Sequence, residues 1–186
     1  MRWDALFGDL DAQWHAANQQ DLEREINELA RVESSQATLA DAVRGALGGD
    51  ITAVLSNGVA HHGVVLRVEE HWLLLGEGGR SMVLPMAKLQ RVRGIGAARV
   101  PLQGQLRYSL PSALRVLARN RAVVVLELDS PQPARMRGVL DQVGADFVAV
   151  TQVADGVARD RENRRGSLVV PLHAVLSVMS AADNEL

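Results

Sequence analysis

The stretch HHGVVLRVEEHWLLL, residues 61–75, contains three histidines, two glutamates and a tryptophan around a single glycine. Its histidines and carboxylates are compatible with a metal or catalytic site, whereas its valines and leucines are typical of a β-strand. A glycine inside such a strand permits a sharp bend, because another backbone can approach closely where no Cβ stands. The stretch therefore predicts either a polar site or a bent strand.

A second copy of this pattern lies further along the chain. The aligned segments, in order, are LADAVRGALGGDITAVL (39–55) with LPSALRVLARNRAVVVL (110–126), GVVLRVEEHWLLL (63–75) with GVLDQVGADFVAV (138–150), and VLPMAKLQRV (83–92) with VVPLHAVLSV (169–178). This alignment places Leu55 on Leu126 and Gly63 on Gly138. Because the second copy keeps the glycine and the apolar positions but not the histidines and glutamates, the shared part is the fold.

The opening stretch is therefore predicted to be a bent strand with Gly63 at the bend. Val68 and Trp72 are predicted to face the core, and the histidines and glutamates to lie on the surface around turns. Each copy predicts a short helix followed by five short antiparallel strands, which hide their apolar face by curling into a small barrel. The predicted domains are a helical arm (1–36), a first barrel (37–105), a second barrel (106–181) and a disordered tail (182–186).

The segment GDITAVLSNGVAHHGVVLRVEEHWLLL resembles the first signature of the Sm-like proteins. In that family an asparagine-glycine turn, here Asn57 and Gly58, precedes a bent strand that opens at a glycine, here Gly63. SMVLP and SLVVP, each followed by one more strand, are similar to the closing strands of the bacterial host-factor RNA chaperone of that superfamily. The resemblance implies a mainly β protein with helices: two Sm-like (SH3-like) five-stranded antiparallel small barrels in tandem, each preceded by a short helix, plus an N-terminal α-helical arm.

The resemblance also implies RNA contacts, of which this sequence keeps only part. The family's base-stacking position falls on His71, its aspartate position on Glu69 and its asparagine position on Leu73. An apolar Leu73 cannot hydrogen-bond to a base edge. The family's usual contacts are therefore expected in the first copy only, with His71 as the remaining stacking residue.

Arginines provide the other candidate contacts with nucleic acid. Arg93-Gly94 in QRVRG resembles the arginine-glycine pair of the second Sm signature, and a basic loop, VARDRENRRG (157–166), is absent from the first copy. This loop is either a set of phosphate contacts without base specificity or a solvated loop with internal charge pairing. The candidate nucleic-acid-binding residues are His71, Arg91, Arg93, Arg159, Arg161, Arg164 and Arg165.

The N-terminal arm carries large apolar residues at helical spacing. Residues 1–34 hold three arginines against eight acids, so the arm is acidic and the remainder of the chain mildly basic. An acidic helix with apolar anchors on one face suits docking, either on its own chain, on a second subunit or on a foreign protein. The candidate partner-binding residues are Trp3, Phe7, Leu10 and Trp14.

Other classes of function lack support in the sequence. The chain has no cysteine, and the neighbouring His61 and His62 would point to opposite faces of a strand, so no metal site is predicted. Neither a serine-histidine-aspartate pattern nor a phosphate-binding glycine loop occurs, so neither an enzyme nor a cofactor is expected. No apolar run is long enough to span a membrane and the acidic N-terminus does not resemble a signal peptide, so a cytoplasmic protein is expected.

Two functions follow from the sequence. The first is a regulatory protein associated with nucleic acid, RNA in the first place, without catalytic activity. The alternative is an interaction or scaffold protein whose barrels have lost RNA binding and which assembles through barrel edges and the N-terminal helix. Both include a homo-oligomer, because a small barrel of this type leaves strand edges open for pairing.

Overall fold

The computed structural model describes residues 35–102, 107–132, 134–153 and 164–180, which form a mainly β protein. In order, its elements are α1 (Leu39–Arg44), β1 (Asp50–Leu55), β2 (Ala60–Val68), β3 (Trp72–Glu77), β4 (Arg80–Pro85), β5 (Leu89–Arg93), α2 (Leu110–Arg119), β6 (Val123–Leu128), β7 (Ala134–Val143), β8 (Phe147–Val153), β9 (Arg164–Pro171) and β10 (Val175–Ser180). The strands form one open antiparallel sheet with the order β5-β1-β2-β3-β4-β10-β6-β7-β8-β9. Residues 1–34 of the predicted arm and the whole predicted tail lie outside the described residues.

The internal repeat is visible in the strand register. Gly63 lies opposite Ile51 and Gly138 lies opposite Val124, so the two glycines hold the same place in their halves. The register shifts also fall at equivalent positions, between Val65 and Arg67 on β2 and between Leu140 and Gln142 on β7. β1 to β5 and β6 to β10 are therefore two copies of one five-stranded arrangement.

One part of the sequence alignment is wrong. Because Ile51 is equivalent to Val124, Leu55 is equivalent to Leu128 and not to Leu126. The sequences of the two helices do align from their first residues, but α2 has ten residues where α1 has six. The longer helix delays the following strand by two residues, which an alignment without gaps cannot accommodate.

The two glycines are required by the backbone of the neighbouring strand. A Cβ on Gly63 would lie 2.6 Å from the carbonyl oxygen of Gly76, and one on Gly138 would lie 2.6 Å from that of Thr151. Real Cβ atoms do not approach a backbone oxygen so closely, so a side chain at either position would push two paired strands apart. The predicted close approach at Gly63 is confirmed.

Each half has its own hydrophobic core, and the two cores share side chains across the β4–β10 pair. Leu176 of β10 packs in the first core, whereas Trp72 and Val83 of the first half pack in the second core. Val68 and Trp72 are both buried, as predicted, although Trp72 belongs to the other half's core. Val83 and Val178, which pair across the two halves, therefore both lie in the second core.

Helix α2 begins at a well-formed cap. The Ser109 hydroxyl accepts a hydrogen bond from the backbone N–H of Ser112, and Pro111 stands in the first turn, where a missing N–H is harmless. Leu114 is the buried residue of this helix and packs in the second core. Among the described residues, no helix combines the length and the apolar character needed to cross a membrane.

We expect Gly63→Ala to destabilise the protein by about 1 to 3 kcal/mol, because the new Cβ would overlap the Gly76 carbonyl. Gly96→Ala is the matched control, since nothing lies within 4 Å of a Cβ built at Gly96. Chemical denaturation of both variants measures the difference. Equal stability of the two variants would contradict the close approach.

Candidate functional site

The histidines of the opening stretch have different surroundings. His61 is 7% exposed and its Nε2 lies 3.2 Å from Oε2 of Glu127. His62 is exposed and its Nδ1 lies 2.9 Å from the Thr52 hydroxyl. The prediction that the two rings point to opposite faces is confirmed, but the predicted surface position of His61 is wrong. Its partner comes from the second half, which a reading of the first half alone cannot reveal.

Glu127 is the centre of a polar cluster between the two halves. It is 2% exposed, and Ser177 Oγ donates to its Oε2 over 3.2 Å. Asn57 Nδ2 and Arg135 Nη2 reach its other oxygen over 3.4 and 3.5 Å. A carboxylate so deeply buried is tolerated only when donors surround it. The cluster therefore holds the β1–β2 turn and β2 against β6, β7 and β10.

The centre of this cluster is closed to solvent. Ser177 is fully buried and donates to Glu127, so its hydroxyl is not accessible to a substrate in this structure. Among the residues described, no group of three or more histidine and acid side chains is placed to hold a metal ion. Glu127 is a lone acid within the apolar strand VVVLEL, and such an isolated charge is the one sequence signal of the cluster.

Glu69 fixes the segment that leads into the second half. Its side chain is 5% exposed and pairs with Arg67 over 2.7 Å. Its second oxygen lies 3.4 Å from the backbone nitrogen of Tyr108. The Arg67 guanidinium stacks 4.6 Å from the centre of the Tyr108 ring, and the indole N–H of Trp72 donates to the Tyr108 carbonyl over 2.7 Å. The prediction of a solvated turn is wrong for Glu69.

His71 remains on the surface, as predicted. Its side chain is 74% exposed on the β2–β3 turn, 3.8 Å from a carboxylate oxygen of Glu70. Its carbonyl accepts from the backbone N–H of Met86, so the turn lies beside the single helical turn Met86–Lys88. The ring is accessible to a ligand, but the neighbouring carboxylate of Glu70 is unfavourable for a phosphate.

The structure does not bring His71 and Arg93 together. Arg91 and Arg93 are exposed on β5, and Arg93 is the last residue of that strand. At a rise of roughly 3.3 Å per residue, Arg93 lies about 16 Å along the strand from Lys88. The arginine-glycine pair therefore lies at the far end of β5 from the turn beside His71.

Several predicted site residues lie outside the described part of the chain. These are Arg159 and Arg161 of the basic loop and the four residues of the arm, Trp3, Phe7, Leu10 and Trp14. Arg164 and Arg165 begin β9, and only their backbone is described. Their predicted roles remain predictions.

The edge strand β9 exposes two large apolar residues, one of which, Val169, is the most exposed large apolar residue of the described sheet. Leu168 is 43% and Val169 is 66% exposed. Their equivalents in the first half, Met82 and Val83, are each 7% exposed, because β10 covers them. We call the β4–β10 pair that joins the two halves the seam. The same sequence pattern is therefore buried in the seam in the first half and exposed to solvent in the second.

The other free strand, β5, is polar. Gln90, Arg91 and Arg93 are exposed there. The strand register makes them equivalent to Leu176, Ser177 and Met179 of β10, which lie in the seam. The two edges of the sheet thus differ in chemistry although they belong to two copies of one arrangement.

Comparison with known proteins adds no assignment to this geometry. No family model, no curated protein and no solved structure matches the chain.

We expect Glu127→Ala to cost about 2 to 3 kcal/mol of folding free energy, because the donors of His61, Asn57 and Ser177 lose a buried acceptor. Glu77→Ala is the control, since Glu77 is exposed on the surface. Urea titration of both variants measures the loss. If the two midpoints coincide, the cluster does not stabilise the contact between the halves.

Proposed function

We propose that the protein is a non-catalytic assembly module, in which two Sm-like small barrels present a free strand edge to a further polypeptide strand. The observation that carries the proposal is the contrast between Val169, 66% exposed, and its seam equivalent Val83, 7% exposed. An apolar edge strand with unpaired backbone groups is a template for strand addition.

The barrel assignment is supported by the order of the strands within each half. The fifth strand of each half pairs with the first, as β5 with β1 and β10 with β6. The second strand of each half carries the tight glycine and a register shift, which are the usual devices for strong curvature. Both features favour closure of each half around its own core.

The seam between the halves supports assembly as the function. Inside the chain, β4 and β10 already join two such halves by strand pairing, with Met82, Val83 and Val178 buried at the pair. β9 has the same sequence pattern as β4 but is unpaired on its outer side in the described structure. Adding a strand there would bury Leu168 and Val169 as the seam buries Met82 and Val83.

We expect Val169→Lys to abolish association, because a buried charge on the edge opposes strand pairing. Val116→Lys is the matched control, since Val116 is 55% exposed on α2, away from the edge. Sedimentation velocity over a range of concentrations, with capture of protein from extracts of the source cells, measures association. A wild-type chain that stays monomeric and captures nothing would contradict the proposal.

Nucleic-acid association is the second candidate, and exposed arginines favour it. Arg91 and Arg93 lie two residues apart on one face of β5, and Arg115 and Arg119 lie one helical turn apart on α2. Within the described residues, none of these four has a carboxylate within ion-pair distance. Exposed guanidiniums without acidic partners are suited to phosphate oxygens, and His71 is accessible to a base.

A salt series of RNA and DNA binding tests this candidate. Binding should weaken steeply with salt, and R159Q/R161Q/R164Q/R165Q should flatten the slope of log K against log salt by up to roughly 0.7 per lost phosphate contact on a single strand. R91Q/R93Q tests the β5 arginines in the same way. The single variant R80Q, at the exposed start of β4, serves as the control. Absence of binding at low salt excludes nucleic-acid association.

A further inference from the structure

The seam between β4 and β10 works by an exchange of apolar side chains. The first half contributes Trp72, Leu74 and Val83 to the second core. The second half contributes Leu176 and Met179 to the first core. Any strand that replaces one side of this seam must therefore supply apolar side chains to the core that it covers.

The β9 edge has apolar residues at the positions equivalent to those that the first half contributes to the second core. The strand register makes Phe147, Ala149 and Val169 equivalent to Trp72, Leu74 and Val83. None of the three belongs to either core, and Val169 is the most exposed large apolar residue of the described chain. The first half buries the equivalent side chains in the core of the second half. At the β9 edge, these three side chains belong to no core in the described structure.

The β5 edge has polar residues at the positions equivalent to those that β10 contributes to the first core. Where β10 contributes Leu176 and Met179, β5 has Gln90 and Arg93. A glutamine and an arginine cannot fill an apolar core, and charged residues on an edge strand oppose pairing. β5 of a second copy is therefore a poor partner for β9, although its place in the repeat would suggest it.

We propose that β9 pairs with β9 of a second copy of this chain, antiparallel and about a twofold axis. The proposal rests on the assembly function above and names its partner. Each apolar edge then covers the other, and the polar β5 edges end the joined sheet on both sides. Twofold pairing is also the commonest way in which identical chains associate, because one patch serves both partners.

Symmetry restricts the register of this pairing. In an antiparallel pair, residues directly opposite each other point to the same face of the sheet, so an odd-numbered residue of β9 faces an odd-numbered one. The register that centres the most exposed side chain places Val169 opposite Val169 and Leu168 opposite Val170 of the second copy. No charged residue lies between Ser167 and Pro171, so this contact brings no like charges together.

Single cysteine variants test this register directly, because the chain has no cysteine of its own. Opposite residues of antiparallel strands have Cα atoms about 4.5 to 5.5 Å apart, within the range of a disulfide. We expect Val169→Cys to form a covalent dimer under mild oxidation at least tenfold faster than Val116→Cys. Val116 is the control because it is similarly exposed but lies on α2.

Mixing Val169→Cys with Val92→Cys separates the possible partners, because the equivalent pair in the seam is Val83 with Val178. A dimer of Val169→Cys with itself supports the proposal. A mixed disulfide that outcompetes it would show pairing of β9 with β5, which overturns the twofold dimer but leaves the assembly function standing. Association that depends on Val169 but gives neither disulfide would overturn the proposed twofold register and leave the assembly function standing. A chain that is monomeric at every concentration and captures no partner overturns both the dimer and the assembly function.

Discussion

The pairing of β4 with β10 converts two copies of a five-stranded arrangement into one ten-stranded sheet, and it leaves β5 and β9 as the outer strands of the described structure. Two backbone pairs, Val178 with Val83 and Met179 with Met82, define its register. Because the two halves exchange side chains between their cores across this seam, neither half retains a complete core without the other.

Polar contacts make this seam specific. Glu127 accepts from His61 and Asn57 of the first half, and Lys88 pairs with Asp129 over 2.7 Å. Apolar burial supplies most of the attraction between two such surfaces but tolerates slipped arrangements. A buried carboxylate loses its donors in a slipped register, so the polar cluster penalises the alternatives. The edge at β9 exposes the apolar side chains Leu168 and Val169, which suits association with another molecule.

The repeat, the bent strand at Gly63 and the mainly β class could be predicted from sequence because each leaves a local mark. A glycine next to valines and a proline before the last short strand recur in both copies. The close backbone approach at each glycine involves only strands of its own copy, so each copy shows it in its own sequence. The alignment of Leu55 failed because helix length is not marked in the same way. His61 and Glu69 were misplaced for a different reason. Their partners, Glu127 and Tyr108, are distant in sequence, and an isolated polar residue carries no sign of a distant partner.

The exposed apolar edge follows from the repeat only when strand order is known. SLVVP matches SMVLP in sequence, so sequence alone predicts equal burial for Val169 and Val83. Hydrogen–deuterium exchange at several protein concentrations tests the resulting account most directly. Amides of β4 and β10 should be protected at every concentration, and so should the β9 amides that pair with β8. The β9 amides on the outer side should become protected only as concentration rises, and those of β5 should stay unaffected by concentration. Fast exchange in β4, or outer β9 amides whose protection does not depend on concentration, would contradict an internal seam with one associating edge.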